Sequence, residues 1–265
     1  SIFLLIGDDQ YRKPNIGIWN YLQNMIDIDK DNSFYVGDAM GRIYNNKNKK
    51  NDFSSSDYKF ALNIGIDFYT PEKLLNIEDD FKSIRLDTIP FEQIKTLKPV
   101  NKFNTNIKFI NKDKEIILLV GYPSCGKTKF ITKYYSTYHN FDSNIITKKK
   151  INNIIDILKN KSIIVNGSNH IYEKRKLFVD LAKKNNIKIR CFYFNINKEL
   201  AQHLDNYKMK LSNGNYIKKH KIIYTSIKKK LILPTIKEGF SEVNYVNFVP
   251  EFDNENQKNL FFQHF

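Results

Sequence analysis

A loop that follows a hydrophobic run constrains the fold of this chain more than any other feature. Residues 118–130 read LLVGYPSCGKTKF, and within them Gly121 to Thr128 fit the pattern G-x-x-x-x-G-K-[ST] at every fixed position. The hydrophobic residues EIILLVG are predicted to form a buried strand before the loop, and a helix is predicted from Lys127 to about Tyr135. This order of elements predicts an α/β domain with a parallel sheet.

The residue types in this loop are those that a phosphate group requires. Glycines let the backbone curl so that successive N–H groups point at phosphate oxygens, and the following helix adds its positive N-terminal end. Lys127 is expected to reach the β- and γ-phosphates, and the Thr128 hydroxyl is expected to ligate Mg²⁺. The alternative is a glycine turn followed by Lys-Thr by chance, which the flanking strand and helix disfavour. We predict an ATP–Mg²⁺ site formed by Gly121, Tyr122, Pro123, Ser124, Cys125, Gly126, Lys127 and Thr128.

Strands and helices are predicted to alternate in two regions of the chain. The first region has predicted strands in SIFLLIG, SFYVGD and FALNIGIDFYTP, a helix in GIWNYLQNMI, and a short helix that starts at Pro71. The second continues after the loop with helices in KINNIIDILKN and EKRKLFVDLAKKNN and strands in SIIVNG and IKIRCFYFNI. The stretch from Arg85 to Asp113 has two prolines and no clean period, so it is predicted to be a linker. We therefore expect two α/β domains.

Size and composition limit the class of protein. The chain has 265 residues, of which 41% are hydrophobic and 14% aromatic, so a folded protein with one large or two ordinary cores is expected. No apolar run approaches the ~20 residues that cross a bilayer, and SIFLLIG is too short for the core of a signal peptide. Two cysteines imply no disulfide framework. We expect an intracellular protein, nuclear or viral and cytoplasmic, without membrane contact and monomeric.

Positive charge is concentrated in the second part of the chain. The formal net charge is +15, but residues 1–100 contribute −2 and residues 101–265 contribute +17. Such asymmetry indicates a polyanionic partner, most simply nucleic acid, although a lysine-rich solvated surface would give the same count. The segment YIKKHKIIYTSIKKK, residues 216–230, mixes aromatic residues with lysines as nucleic-acid surfaces do. A solvated amphipathic helix explains that segment almost as well.

Several stretches in order resemble one known family. SIIVNGSN, KRKLFVDLAKKNNIKIRCFYF and LPTIKEGFSEV resemble the kinase half of polynucleotide kinase 3′-phosphatases. YRKPNIGIW, FYVGDAMGR and NDFSSSDYKFALNIGIDFYTPE resemble the end of that family's phosphatase half, which is haloacid dehalogenase-like (HAD-like). The resemblance implies part of a HAD-like Rossmannoid phosphatase domain at 1–84, a linker at 85–113 and a P-loop polynucleotide kinase domain at 114–265.

The resemblance also implies roles for individual residues. In that family the phosphatase removes a 3′-phosphate and the kinase adds a 5′-phosphate to nucleic-acid ends. Lys13 would neutralise the transferred phosphoryl group and Asp38 would hold Mg²⁺, so that both join Lys127 as catalytic residues. Asn169 would bind the substrate. Lys208, in the segment DNYKMK, would contact ATP from the position in the family's lid segment where an arginine is expected. Without the resemblance, Asp38 is better explained as a helix N-cap or a turn residue.

The sequence departs from the family pattern at three places. No D-x-D-G-T motif, which supplies the phosphatase nucleophile, is present in these residues, so we expect either a fragment or a decayed phosphatase domain. Thr147 or Lys148 stands where the kinase base, an aspartate, is expected, and Asp142 is a possible substitute. Asn166 replaces an aspartate that would orient Mg²⁺ and water.

The function predicted from these observations is phosphorylation of 5′-hydroxyl ends of nucleic acid, which is expected to be DNA rather than RNA. A 3′-phosphatase activity is expected only if the nucleophile motif exists upstream. The rival hypothesis is a degenerate, non-catalytic protein of the same family that binds a nucleotide or DNA ends. A small-molecule kinase on the same scaffold is a third hypothesis.

Overall fold

The computed structural model describes residues 10–86, 101–103, 107–144, 148–212 and 215–265, with the side chains of residues 148–152 left undescribed. Backbone contacts divide the chain into two units. The first comprises Ser1–Leu97, Met209–Ile217 and Phe252–Phe265, and the second comprises Lys98–Lys208 and Lys218–Glu251. We describe each unit by itself.

The first unit contains short strands and helices. Its elements before residue 97 are α1 (Gly17–Gln23), β1 (Phe34–Val36), β2 (Arg42–Ile43), α2 (Ser56–Ile64), β3 (Asp67–Tyr69), α3 (Pro71–Leu74) and β4 (Ser83–Ile84). β1 pairs with β3 in parallel, and β2 pairs with β4 in antiparallel orientation. The helix predicted in GIWNYLQNMI, the strand in SFYVGD and the helix start at Pro71 are confirmed. The strand predicted in SIFLLIG lies outside the described residues.

The strand predicted over FALNIGIDFYTP is wrong in its first half. Phe60, Ala61 and Ile64 are buried on one side of α2, and this spacing of i, i+1 and i+4 suits a helix that packs one face. Gly65 then ends the helix with φ of 79°, a left-handed conformation that glycine adopts without strain. Only Asp67–Tyr69 form a strand. The hydrophobic run therefore contains a helix, a glycine turn and a strand.

The C-terminal segment groups with the first unit. It contains the last helix, here labelled α9, at Glu255–Phe261. Lys59 Nζ donates to the Phe265 carbonyl at 3.0 Å. The Asn63 amide donates to the His264 carbonyl at 2.9 Å and accepts from the His264 N–H at 2.7 Å. The units follow contacts within this chain, whereas the bounds 1–84, 85–113 and 114–265 refer to domains of a family. Those bounds stay a prediction, and much of the predicted linker lies outside the described residues.

The second unit alternates strands with helices, as the sequence predicts. Its elements are β5 (Glu115–Val120), α4 (Lys127–Tyr134), β6 (His139–Asp142), α5 (Lys148–Leu158), β7 (Ile163–Asn166), α6 (Tyr172–Lys184), β8 (Lys188–Asn195), α7 (Lys198–Leu211), α8 (Lys221–Lys230), a 3₁₀ turn (Ile236–Glu238) and β9 (Glu242–Asn247). The last three residues of α7 group with the first unit. Each strand and helix predicted here is confirmed.

A five-stranded parallel sheet forms the centre of the second unit. Its strand order is β6-β7-β5-β8-β9, and every neighbouring pair is parallel. All six residues of β5 are buried, because a central parallel strand is covered on both faces. The predicted α/β fold with a parallel sheet is confirmed. In such sheets ligands bind beyond the carboxyl ends of the strands, where β5 leads into the glycine-rich loop.

The two faces of the sheet have different cores. Ile116, Leu118 and Val120 alternate along β5 and pack in a mixed aliphatic and aromatic cluster with residues of α5 and α6. On the other face, Phe130 of α4 lies 5.1 Å from Phe192 and 5.4 Å from Phe194, measured between ring centroids. This aromatic layer packs α4, the helix that follows the loop, against the sheet.

A buried ion pair lies where β5 and β8 begin. Arg190 Nε and Nη2 donate to the two carboxylate oxygens of Glu115 at 2.7 and 2.6 Å, and both side chains are at most 2% exposed. Tyr138 donates to the same carboxylate at 2.7 Å. Burial alone would lower the pKa of Arg190, but the bonds to Glu115 raise it overall. The pair is therefore charged and satisfied inside the protein.

The structure contains no helix, among the residues it describes, that is long and apolar enough to span a bilayer.

Replacement of Glu115 by alanine is expected to lower the free energy of unfolding by about 3–5 kcal/mol, because the buried Arg190 loses both short bonds to a carboxylate and keeps only Glu242, at 3.7 Å. Urea unfolding of the variant measures this loss. The control is Asp180→Ala, which breaks an exposed ion pair with Lys176 and should change stability by no more than about 0.5 kcal/mol. Equal losses in the two variants would contradict this account of the buried pair.

Candidate phosphate-binding site

The glycine-rich loop connects the carboxyl end of β5 to α4. The Gly121 N–H donates to the Ser168 carbonyl at 3.0 Å, which ties the start of the loop to the segment after β7. A Cβ at Gly121 would lie 2.9 Å from Phe194 Cβ and 3.1 Å from Cys125 Sγ, and φ there is +155°. Gly126 precedes α4 with φ of 96°. The two fixed glycines of the motif therefore stand where the backbone turns sharply.

Lys127 lies inside the curl of the loop. Its side chain is buried, and Nζ donates to the carbonyl of Gly121 at 3.1 Å and to that of Tyr122. Cys125 Sγ is 3.4 Å from the same ammonium. Thr128 follows in the first turn of α4 and is exposed. The structure thus brings together the two side chains that the motif assigns to phosphate and Mg²⁺, beside the N-terminal end of a helix.

A buried aspartate that the sequence analysis missed fixes the middle of the loop. Ser124 has φ of 60°, and its hydroxyl donates to Asp205 Oδ1 at 2.6 Å. Asp205, on α7, is 2% exposed and also accepts from the Lys219 N–H at 2.7 Å. Its position inside an amphipathic helix is the one sequence signal for a buried acid here. The Ser124–Asp205 bond joins α7 to the phosphate loop.

Asn169, predicted to bind substrate, is 1% exposed. Its amide nitrogen donates to the Leu119 carbonyl at 2.8 Å, and its amide oxygen accepts from the Ser143 hydroxyl at 2.8 Å. These bonds connect the segments after β6 and β7 to the end of β5. Direct contact with substrate stays a prediction, and the observed bonds favour a role in positioning the loop.

Lys208 lies on α7, exposed, three residues after Asp205. Residues three apart are neighbours on a helix surface, so the bond between Asp205 and Ser124 brings the helix of Lys208 to the loop. Contact between Lys208 and ATP stays a prediction.

One candidate for the kinase base, Asp142, lies at the same edge of the sheet. Asp142 ends β6 and is aligned with Asn166, which ends β7. The Asp142 carboxylate is exposed and accepts from the Asn144 N–H at 2.8 Å. Thr147 and the side chain of Lys148 lie outside the described residues. Two strand spacings, about 10 Å, separate β6 from β5.

In the first unit, Lys13 lies in a small polar cluster. Its ammonium donates to the Asp57 carboxylate and to the Tyr35 hydroxyl, the latter at 2.8 Å. Asp57 is buried and also accepts from the Ala39 N–H at 3.0 Å. Burial opposes the charge of Lys13, but the bonds to Asp57 and Tyr35 raise its pKa. The pair therefore orients Lys13 beside the turn that follows β1.

Asp38 begins that turn and is exposed. Arg42 holds the turn, because Nη2 donates to the Asp38 carbonyl at 3.1 Å while the rest of its guanidinium pairs with Asp52, Glu72 and Asp79. Among the described residues, no group of three or more acidic, histidine or cysteine side chains could hold a metal. Mg²⁺ often takes only one or two carboxylates, with water and phosphate completing its shell. A single acid such as Asp38 thus fits the ion, and metal binding by Asp38 and Thr128 stays a prediction.

The central strand, the glycine-rich loop and the buried lysine define a P-loop nucleotide-binding domain of kinase type. Residues 1–75 match the family model described as Polynucleotide kinase 3 phosphatase. The chain is 33% identical over 278 residues to a putative bifunctional polynucleotide phosphatase/kinase of Acanthamoeba polyphaga mimivirus. It is 32% identical over 274 residues to the bifunctional polynucleotide phosphatase/kinase of Schizosaccharomyces pombe. The chain is therefore similar over nearly its whole length to bifunctional polynucleotide phosphatase/kinases, the family that its motifs resemble.

The matches cover 94% and 99% of this chain, but 65% and 63% of the two relatives. The chain therefore spans less than two thirds of their length. Among solved structures, a fungal RNA kinase has a TM-score of 0.36 and 12% identity, and the match covers 57% of this chain and 43% of the other. A likeness at that level is too low to support an inference about this chain.

Replacement of Asp205 by alanine is expected to loosen the phosphate loop, because the Ser124 hydroxyl and the Lys219 N–H lose their common acceptor. Loss of such buried partners costs about 1–3 kcal/mol. The reactivity of the Cys125 thiol shows whether the loop has loosened, because the thiol is buried and burial raises its pKa. Labelling by a thiol reagent at pH 8, followed by mass spectrometry, should show faster reaction of Cys125 in the variant than in the original protein.

Cys191, buried in β8, is the internal reference for global unfolding. If Cys125 and Cys191 stay equally protected in the Asp205→Ala variant, Asp205 does not hold the loop.

Proposed function

We propose that this protein transfers the γ-phosphate of ATP to 5′-hydroxyl ends of nucleic acid. The observation that carries the proposal is the buried Lys127 ammonium inside the curl of residues 121–128, in a chain whose relatives are described as polynucleotide phosphatase/kinases. The net charge of +17 over residues 101–265 supports a polyanionic substrate.

The loop residues would hold the triphosphate in the following way. Backbone N–H groups between Gly121 and Thr128 and the N-terminal end of α4 would bind phosphate oxygens. Lys127, which donates to two loop carbonyls, would exchange those bonds for stronger ones to a charged phosphate. The Thr128 hydroxyl would be a ligand of Mg²⁺, which neutralises the charge that develops on the transferred group. Phosphoryl transfer depends mainly on such positioning and electrostatics.

Asp142 is the proposed acceptor of the proton from the attacking hydroxyl. It is exposed at the end of β6 and aligned with Asn166, which supplies no negative charge of its own. A general base contributes about 10²- to 10⁴-fold to a rate. A carboxylate at this edge would compensate in part for the amide of Asn166.

A second candidate function is nucleotide or DNA-end binding without turnover. Two departures that the family resemblance implies favour it: Asn166 would replace an aspartate, and Lys148 or Thr147 would replace the base. For the first unit, we propose 3′-phosphate hydrolysis only in a chain that carries the D-x-D-G-T motif, with Lys13 and Asp38 serving that nucleophile.

Replacement of Lys127 by alanine is expected to lower phosphoryl transfer by at least about 10²-fold, because it removes a charged donor from the transition state. The assay incubates the protein with γ-labelled ATP, Mg²⁺ and a 5′-hydroxyl oligonucleotide, and measures label on the oligonucleotide.

The matched control is Lys129→Ala, an exposed lysine on the same helix, which should retain the original rate. Transfer by the original protein no faster than by Lys127→Ala would refute the kinase function, and ATP binding without transfer would support the second candidate. Unchanged transfer by Asp142→Asn would exclude Asp142 as the base.

A further inference from the structure

The helix α8 is attached to the rim of the phosphate loop at its start. Asp205 accepts from the Ser124 hydroxyl and from the Lys219 N–H, and Lys219 lies two residues before α8 begins. Within α8, the Tyr224 ring stacks on that of Tyr122 with 6.3 Å between centroids and 18° between planes. These two contacts place the first half of α8 beside the phosphate loop.

The end of α8 is attached near the same loop. The Ile232 N–H donates to the His170 carbonyl at 2.9 Å, and Arg175 Nη1 donates to the Ile232 carbonyl at 2.9 Å. Ser168, two residues before His170, accepts from the Gly121 N–H at 3.0 Å. The last turn of α8 therefore lies next to the segment that borders the first residue of the phosphate loop.

The exposed side of this end of α8 is positively charged. Tyr224 and Ile227 are buried, so the helical period of 100° per residue turns Lys229 to solvent. Lys230 lies on a flank of the helix, and its charge acts on His170 together with that of Lys174 from α6. Burial is the main cause that lowers the pKa of His170, and these two lysines lower it further.

Lys174, Lys229 and Lys230 form what we call the lysine cluster. Within the described part of the chain none of the three forms an ion pair, whereas neighbouring Lys228 pairs with Glu199 at 3.5 Å. Cations in the last turn of a helix stabilise its dipole, which would explain the two lysines of α8. It does not explain Lys174, which lies in the first turn of α6, where a cation is unfavourable.

We propose that the lysine cluster binds backbone phosphates of the nucleic-acid strand whose 5′ end enters the phosphate loop. Three ammonium groups near the segment that borders the loop would attract a phosphodiester chain and leave its terminal hydroxyl at the carboxyl edge of the sheet. Because lysines contact phosphates without reading bases, this surface would confer affinity and not sequence preference. The inference rests on the proposed function, whose substrate it positions.

The double variant Lys229→Ala/Lys230→Ala tests the cluster in a binding measurement without ATP. Fluorescence anisotropy of a labelled 5′-hydroxyl oligonucleotide is recorded at several salt concentrations with the full chain. We expect the double variant to bind about tenfold more weakly at low salt, and the slope of log affinity against log salt to fall by about one to two. Lys229→Arg/Lys230→Arg should keep the affinity, since the charge remains.

The matched control is Lys183→Ala/Lys184→Ala, which removes two exposed lysines at the other end of α6. It should bind within about twofold of the original protein, as expected for charges far from the contacted phosphates. Equal weakening in both double variants, an unchanged salt slope, or no binding by the original protein would overturn the inference. Absence of phosphoryl transfer would refute the kinase function alone, because binding is measured separately.

Discussion

The site depends on one constraint: the backbone from Gly121 to Thr128 must stay curled so that its N–H groups converge. Two hydrogen bonds that the loop donates to acceptors outside it hold this curl. The Gly121 N–H donates to the Ser168 carbonyl, and the Ser124 hydroxyl donates to Asp205. Because Ser168 follows β7 and Asp205 lies on α7, the loop is positioned together with the carboxyl edge of the sheet and with α7. Groups already placed for a transition state cost no reorganisation during reaction.

The sequence predicts the parts of this arrangement that have a local cause. The continuous apolar run of β5, the two glycines and the following helix identify the phosphate loop without any knowledge of the fold. The same reasoning assigned a strand to residues now in α2, because an apolar run of that length suits either element and Gly65 was not recognised as a helix end. Local pattern thus predicts the elements but is less reliable where one run contains two of them.

Residues that act across the fold were harder to predict. Asp205 contacts Ser124 across 81 positions of sequence, and nothing in its neighbours indicates that partner. Asn169 was predicted from the family pattern as a substrate ligand, yet its amide bonds join three segments of the protein. At the same edge of the sheet, Asp142 is aligned with Asn166. This alignment is visible only once strand order and register are known.

The central claim is that the curled loop around Lys127 is the binding site of the triphosphate. A crystal structure of the protein with a non-hydrolysable ATP analogue and Mg²⁺ tests it most directly. The account predicts β- and γ-phosphate oxygens within hydrogen-bond distance of the Lys127 ammonium and of the backbone N–H groups before Thr128. Nucleotide density at another place, with Lys127 still bonded to the carbonyls of Gly121 and Tyr122, would contradict it.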